Sequence, residues 1–288
     1  MIAVAAEVRE AAAVVALETT LVAHGFPPGE GAAVGLESER RVRAAGAVPA
    51  TIGVLDGVVR VGLRPDELER FDAEARKVGA RDLAAACVQG VVGATTVGGT
   101  LAAARAAGVR VMATGGIGGV HRAWQERPDV SGDLGELART RAVVVCAGAK
   151  SLLDVEATME LLETLGVPVL GYASDELPRF YSARGGPPVP ARVESASEAA
   201  AVASAHWELG GAGLVLARPP DESLDDVEPL IDAGLREATE RGVRGKDVTP
   251  AVLAFLHERS GGRTLKANRE LIGQNATLAG ELAVALAG

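Results

Sequence analysis

The chain has 288 residues, 48% of them hydrophobic, enough for a substantial core in one large α/β domain or two small ones. A formal charge of -9 with no basic stripe speaks against general nucleic-acid binding, so an anionic ligand needs a focused local positive site. No apolar run reaches the length of a membrane span, the N-terminal MIAVAAEVRE lacks a basic leader region, and Cys87 and Cys146 lack metal-type spacing; the expectation is a cytoplasmic protein, with no membrane partner and with buried, reduced thiols.

In chain order, VVAL at 14–17 is the first buried strand, followed by an amphipathic helix over 30–45. ATIGVL at 50–55 is the second strand, and helices are predicted over 65–76 and 98–107. VRVMATG (109–115) and AVVVCAG (142–148) follow as strands, with a helix over 133–140 between them. A helix over 151–165 leads to the strand VPVLGY (167–172). RFYSARGGPPVPAR (179–192) is a Pro/Gly-rich excursion, read as a lid or an interface loop. A helix over 196–209, opened by a capping box at Ser195 and Glu198, precedes the strand GLVLA (213–217). Helices over 226–241, 250–259 and 264–286 complete the chain, and Pro65, Pro168 and Pro250 sit at element boundaries. This alternation predicts a single α/β domain over 1–288, a three-layer α/β/α arrangement with a mostly parallel central sheet.

Such sheets collect their chemistry at the carboxyl ends of the strands. Glu18, Thr19 and Thr20 follow the first strand. His121 and Arg122 follow the loop GGIGG, and Asp129, Ser131 and Asp133 lie on the next loop. Lys150 follows VVVCAGA, where an ammonium among Val, Ala and Cys side chains loses hydration. That favours the free amine which Schiff-base chemistry at a carbonyl needs; the alternative is a strand-end lysine reaching solvent. Glu18 reads equally as a general acid with a raised pKa or as an N-cap or ion-pair carboxylate. GATTVGGT (93–100) opens a helix and suits either a phosphate cradle or a tight turn with an N-cap.

Lys77 in ARKVGARDL reads first as a solvated lysine at a helix end and second as a phosphate ligand. Asp129 and Asp133 suit a hard divalent ion, and Asp133 suits equally the cap of a helix beginning near Leu134. His121 is the functional candidate among the histidines, with His24, His206 and His257 read as surface or packing residues. A nucleotide cofactor is excluded. GGIGG does not follow the dinucleotide glycine spacing, and GVRGKD (242–247) lacks the first glycine and the hydroxyl of a P-loop.

Six blocks, ALETTLVAHGFP (16–27), GAVPATIGVLDG (46–57), GATTVGGT (93–100), ATGGIGGVHR (113–122), VVCAGAKSLLD (144–154) and TLKANRELIGQNA (264–276), together resemble the pseudouridine-5'-phosphate glycosidase family, which includes the indigoidine synthase A-like proteins. The resemblance runs from about Val14 to Glu281, in order and with similar spacing. It implies reversible cleavage of the carbon–carbon glycosidic bond of pseudouridine 5'-phosphate to uracil and ribose 5-phosphate, through a lysine Schiff base with the ring-opened sugar. It places the proton donor on Glu18 and the nucleophile on Lys150. Substrate contacts fall on Lys77, Thr96, Val97, His121, Ser131, Gly132, Asp133 and Asn268, and a divalent ion, usually Mn²⁺, on Asp129. It also implies a cytoplasmic homotrimer. Two departures stand out: Gln274-Asn275 where the family has an Asn pair, and a divergent RFYSARGG loop. Competing readings are a class I aldolase-type lyase, a ribokinase-like sugar kinase and a non-catalytic nucleotide-binding protein.

Overall fold

Side chains along the central strands alternate between two hydrophobic cores, and that alternation builds the layers. In VVVC, Val144 and Cys146 join one hydrophobic core while Val143 and Val145 join the other. The same split separates Met112 from Val111 and Ala113, and Val215 from Leu214 and Leu216. A strand apolar on both faces must be covered on both, which is why these runs read as continuous β-branched stretches. The computed structural model describes residues 1–126, 128–245 and 248–288; Lys246 and Asp247 of GVRGKD lie outside the described residues.

The strands are β1 (Ile2–Val4), β2 (Val14–Glu18), β3 (Val48–Leu55), β4 (Val58–Val61), β5 (Arg76–Val78), β6 (Gly93–Thr95), β7 (Val111–Ala113), β8 (Val120–His121), β9 (Val143–Cys146), β10 (Leu153–Asp154), β11 (Val169–Tyr172), β12 (Ala191–Val193) and β13 (Leu214–Ala217). The main sheet runs β1-β4-β3-β2-β7-β9-β13-β11-β12. From β3 to β12 all neighbours on this path are parallel. β4 returns antiparallel to β3, and β6, paired with β5, also lies antiparallel to β3. The six predicted strands are the six contiguous parallel strands β3, β2, β7, β9, β13 and β11.

Helices cover both faces. Val97 and Leu101 from Val97–Ala107 and Leu134 and Leu137 from Gly132–Leu137 enter one core. Ala199 and Ala203 from Ala196–Glu208 and Leu278 and Leu282 from Arg263–Ala287 enter the other. The expected mostly parallel α/β architecture is therefore present. Ser195 caps its helix by accepting from Glu198 N at 3.1 Å, but the Glu198 carboxylate accepts from Glu194 N, one residue before the usual reciprocal partner.

Two predicted helices are corrected. The segment 65–76 is helical only over Pro65–Leu68; Arg76 begins β5, whose pairing with β6 places Lys77 on a strand. The helix expected from 151 begins at Val155, because Leu153–Asp154 first pairs with β8 and Asp154 then caps by accepting from Ala157 N at 2.9 Å. The helices Ala6–Glu10, Thr20–His24 and Leu83–Val88 and several short strands were not legible from periodicity, being under two turns or under five residues.

Candidate active site

Glu18 ends β2, with its side chain buried among strand ends. Thr19, not Glu18, stands at the N-cap of the helix Thr20–His24, which removes the capping alternative for Glu18. The Thr114 hydroxyl, just beyond the end of neighbouring β7, donates a short hydrogen bond to Glu18 Oε1. Burial pushes the Glu18 carboxyl above its ordinary range, opposed by Lys150, the Thr114 hydrogen bond and Lys77, and reinforced by Asp133. A carboxyl so placed keeps its proton to higher pH than an exposed one.

Lys150 is positioned by the turn before it. Gly148 has φ 86°, and a Cβ there would stand 2.1 Å from the Pro178 carbonyl oxygen, so only glycine fits. Ala147 N donates to Gly115 O at 2.9 Å and Lys150 N to Ile117 O at 3.1 Å, which fastens the end of β9 to the GGIGG loop. Lys150 lines one cleft with Glu18, Lys77, Thr114, His24 and Asn268. The chain has only four lysines against 25 arginines, and two of the four line this cleft. Arginine cannot give up its proton, so a site that uses lysine in an arginine-rich chain favours an amine as reagent.

The helix Val97–Ala107 brings its N-terminus to the same region. Thr96 is its N-cap, accepting from Gly99 N at 3.2 Å, and Val97 is fully buried. Asp133 is buried and accepts from Gly98 N at 2.7 Å through Oδ1 and from Gly118 N at 3.0 Å through Oδ2. Asp133 is thus not the helix cap, and each of its oxygens is engaged by a backbone amide. Ser131 is the cap, accepting from Asp133 N at 3.2 Å, and Gly132 is the first helical residue. Gly118 is required here, since a Cβ would meet Ser131 Oγ at 2.3 Å.

His121 Nε2 lies 4.0 Å from Asp129 Oδ2, and its backbone N–H donates to Asp129 O at 3.0 Å. Burial lowers the His121 pKa; Asp129 opposes this, and Lys77 and Lys150 add to it. Among the described residues no three His, Cys, Asp or Glu side chains converge on a metal position. Asp129, partly exposed beside His121, still suits a hard ion that keeps most of its water, for which one carboxylate suffices. Cys146 is fully buried, and burial pushes its thiol up to about 12, which removes it as a rival nucleophile.

The family profile described as indigoidine synthase A like protein matches residues 3–285. The chain belongs to the indigoidine synthase A-like family. It is 47% identical over 292 residues to a pseudouridine-5'-phosphate glycosidase of Nocardioides sp., covering 99% of this chain and 95% of that protein. It is 49% identical over 295 residues to one of Streptomyces griseus, covering 98% and 91%. Among solved structures, the prealnumycin C-glycosynthase AlnA in complex with ribulose 5-phosphate superposes with a TM-score of 0.89 at 40% identity, covering 100% of this chain and 97% of that one. An indigoidine synthase A-like protein of Thermotoga maritima gives 0.90 at 38% identity, with the same coverage.

Within this family's fold, some cleft residues were not legible from the sequence. His24, read as a packing residue, lines the cleft; its Nε2 donates to Ala75 O at 2.9 Å, which fixes the tautomer. Phe180, from the excursion read as a lid or interface loop, forms a wall: it packs on Gly116, where a Cβ would stand 2.7 Å from its ring, and its N–H donates to Ala147 O at 3.0 Å. Asn268, placed by the resemblance among the substrate contacts, is buried, lines the cleft and has no hydrogen-bond partner for Oδ1 among the described residues. Gln274 turns instead to Arg218 and Asp221, and Asn275 donates to Thr114 O at 2.8 Å, holding the C-terminal helix on the strand that presents Thr114. No helix among the described residues is long and apolar enough to cross a membrane.

Proposed function

We propose that this enzyme reversibly splits pseudouridine 5'-phosphate into uracil and ribose 5-phosphate, with Lys150 as nucleophile and Glu18 as proton donor. One observation carries the reading: a buried Glu18, its pKa raised by burial, and Lys150 line one cleft from nearby strand ends, with Lys77 beside them. Conventional glycosidases protonate a departing oxygen between paired carboxylates, a route that suits a carbon leaving group poorly.

The Lys150 amine attacks C1' while the C1'–O4' bond breaks and Glu18 gives its proton to O4'. The new secondary ammonium returns a proton to Glu18. Glu18 then protonates uracil C5, the nitrogen lone pair forms the iminium with C1', and the C1'–C5 electrons restore the C5–C6 double bond as uracil leaves. Water adds to C1' and expels the Lys150 amine, releasing ribose 5-phosphate. Lys77, the Thr96 hydroxyl and the Val97 amide hold the phosphate. Asn268, whose buried oxygen lacks a partner, suits a uracil N–H. Ser131, Gly132 and Asp133 shape the phosphate side by holding two glycine backbones in place.

A divalent ion, which we take to be Mn²⁺, would be held through water at Asp129 beside His121, supplying positive charge. We further propose a homotrimer, the state the family resemblance implies, which light scattering tests directly.

The test is borohydride trapping with ribose 5-phosphate, read by peptide mass spectrometry. A reduced sugar adduct on Lys150, absent in Lys150→Ala and released by uracil before reduction, supports the proposal. An adduct indifferent to uracil supports an aldolase-type lyase. Turnover without any adduct overturns the role of Lys150.

A further inference from the structure

A second, smaller cavity shares Glu18 and Thr114 with the cleft. It measures about 20 Å³, room for a single water. Its wall is apolar except for Glu18, Thr114, Ser38 and Thr51, a polar set sufficient to hold that water. Two of the three hydroxyls are committed locally: Thr114 donates to Glu18, and Ser38 to Val34 O at 3.0 Å. Thr51 differs. It is buried on β3, paired with Leu17 one position before Glu18, and it donates to the carboxylate of Glu39. Glu39 is half-buried on the helix Gly31–Ala44 and extends toward the surface pair Arg43–Glu7.

We propose that Glu18 exchanges its proton with solvent through this cavity, by a relay of one bridging water, the Thr51 hydroxyl and the Glu39 carboxyl. The inference rests on the glycosidase reading, in which Glu18 donates a proton twice per turnover while substrate fills the cleft in front of it. In each passage Glu39 gives a proton to the Thr51 oxygen, Thr51 passes its own to the water, and the water passes one to the Glu18 carboxylate; Glu39 is reprotonated from bulk. No other bond changes, and the reverse passage drains Glu18. The charged groups around the two ends are Lys150, Lys77 and Asp133 at Glu18, and Arg43 and Glu7 at Glu39. Both carboxyls are raised chiefly by burial, so both hold protons near neutrality more readily than surface carboxyls.

The experiment runs the synthetic direction with 5-deuterated uracil and ribose 5-phosphate in ordinary water. The deuteron leaves C5 for Glu18. The ratio read is loss of deuterium from recovered uracil against pseudouridine 5'-phosphate formed. With the relay intact, the deuteron escapes before the bond reverses and the ratio is high. Thr51→Val and Glu39→Gln lower the ratio by roughly fivefold or more, and Thr51→Ser restores it. A ratio unchanged in both variants, whatever happens to turnover, overturns the relay, because a purely structural role alters rate without altering this partition. Wild type that forms no product overturns the glycosidase reading, and the relay with it.

Discussion

The Thr114 hydroxyl donates a short hydrogen bond to Glu18 Oε1, across the ends of adjacent parallel strands. The bond stabilises the carboxylate and so opposes the burial that raises the Glu18 pKa. Thr114→Val removes the opposition and raises that pKa further. The limb of the pH–rate profile on which activity needs protonated Glu18 therefore moves to higher pH. kcat/KM falls by roughly tenfold or more, the scale of a lost hydrogen bond to a charged group. Steady-state kinetics across pH checks both.

The same raised pKa has a consequence for stability. Unfolded, Glu18 titrates near its ordinary value of 4.5; folded, it titrates higher. The folded state then binds the proton more tightly, so this stabilisation is complete below pH 4.5 and is lost as pH rises through the folded pKa. Glu18→Gln, neutral at every pH, gains over wild type across that window and levels off above it. Thermal melts at neutral pH are expected to show a higher Tm for the variant than for wild type. At pH 4 the advantage vanishes.

For Lys150, arginine is the informative substitution. Lys150→Arg keeps a cation in the cleft but cannot supply a free amine, so turnover falls by at least about a thousandfold, as for Lys150→Ala. An electrostatic role for Lys150 predicts substantial rescue by Arg. Turnover assays on the two variants decide between them.

Lys77→Met tests the proposed phosphate contact. It is expected to raise KM for pseudouridine 5'-phosphate by roughly 10- to 150-fold, the range of a charge-assisted hydrogen bond, and to leave kcat/KM for unphosphorylated pseudouridine unchanged. Comparing the two substrates in wild type and variant gives the coupling directly. A loss equal for both substrates would assign Lys77 to the chemistry instead.

Glu18 and Lys150 were legible because each is a titratable group following a strand apolar on both faces, a pattern that needs only local sequence. The six parallel strands were legible for the same reason. Lys77 was misplaced because ARKVGARDL has helical spacing, while its strand exists only through pairing with β6, seventeen residues on for the matched pair Lys77 and Ala94. His24 was passed over because its orientation depends on the carbonyl of Ala75, 51 residues away. The Thr51–Glu39 contact joins a strand to a helix twelve residues earlier, which no periodicity reports.

Asp133 is the remaining case of long-range dependence. Its two oxygens serve Gly98 N, 35 residues earlier, and Gly118 N, 15 residues earlier. It thereby fastens the helix N-terminus at Val97 to the loop that holds Lys150 through Ile117. Asp133→Ala strands two buried amide donors at about 1–3 kcal/mol each, and the melt is expected to drop accordingly. Asp133→Asn keeps one acceptor and recovers part of the stability. If Asp133 acts by positioning, KM for phosphorylated substrate rises in both variants and the borohydride-trapped fraction on Lys150 falls, in proportion to the acceptors lost. If it instead contacts substrate directly, Asn and Ala lose activity alike although Ala loses more stability than Asn; melts and kinetics measured on the same preparations separate the two.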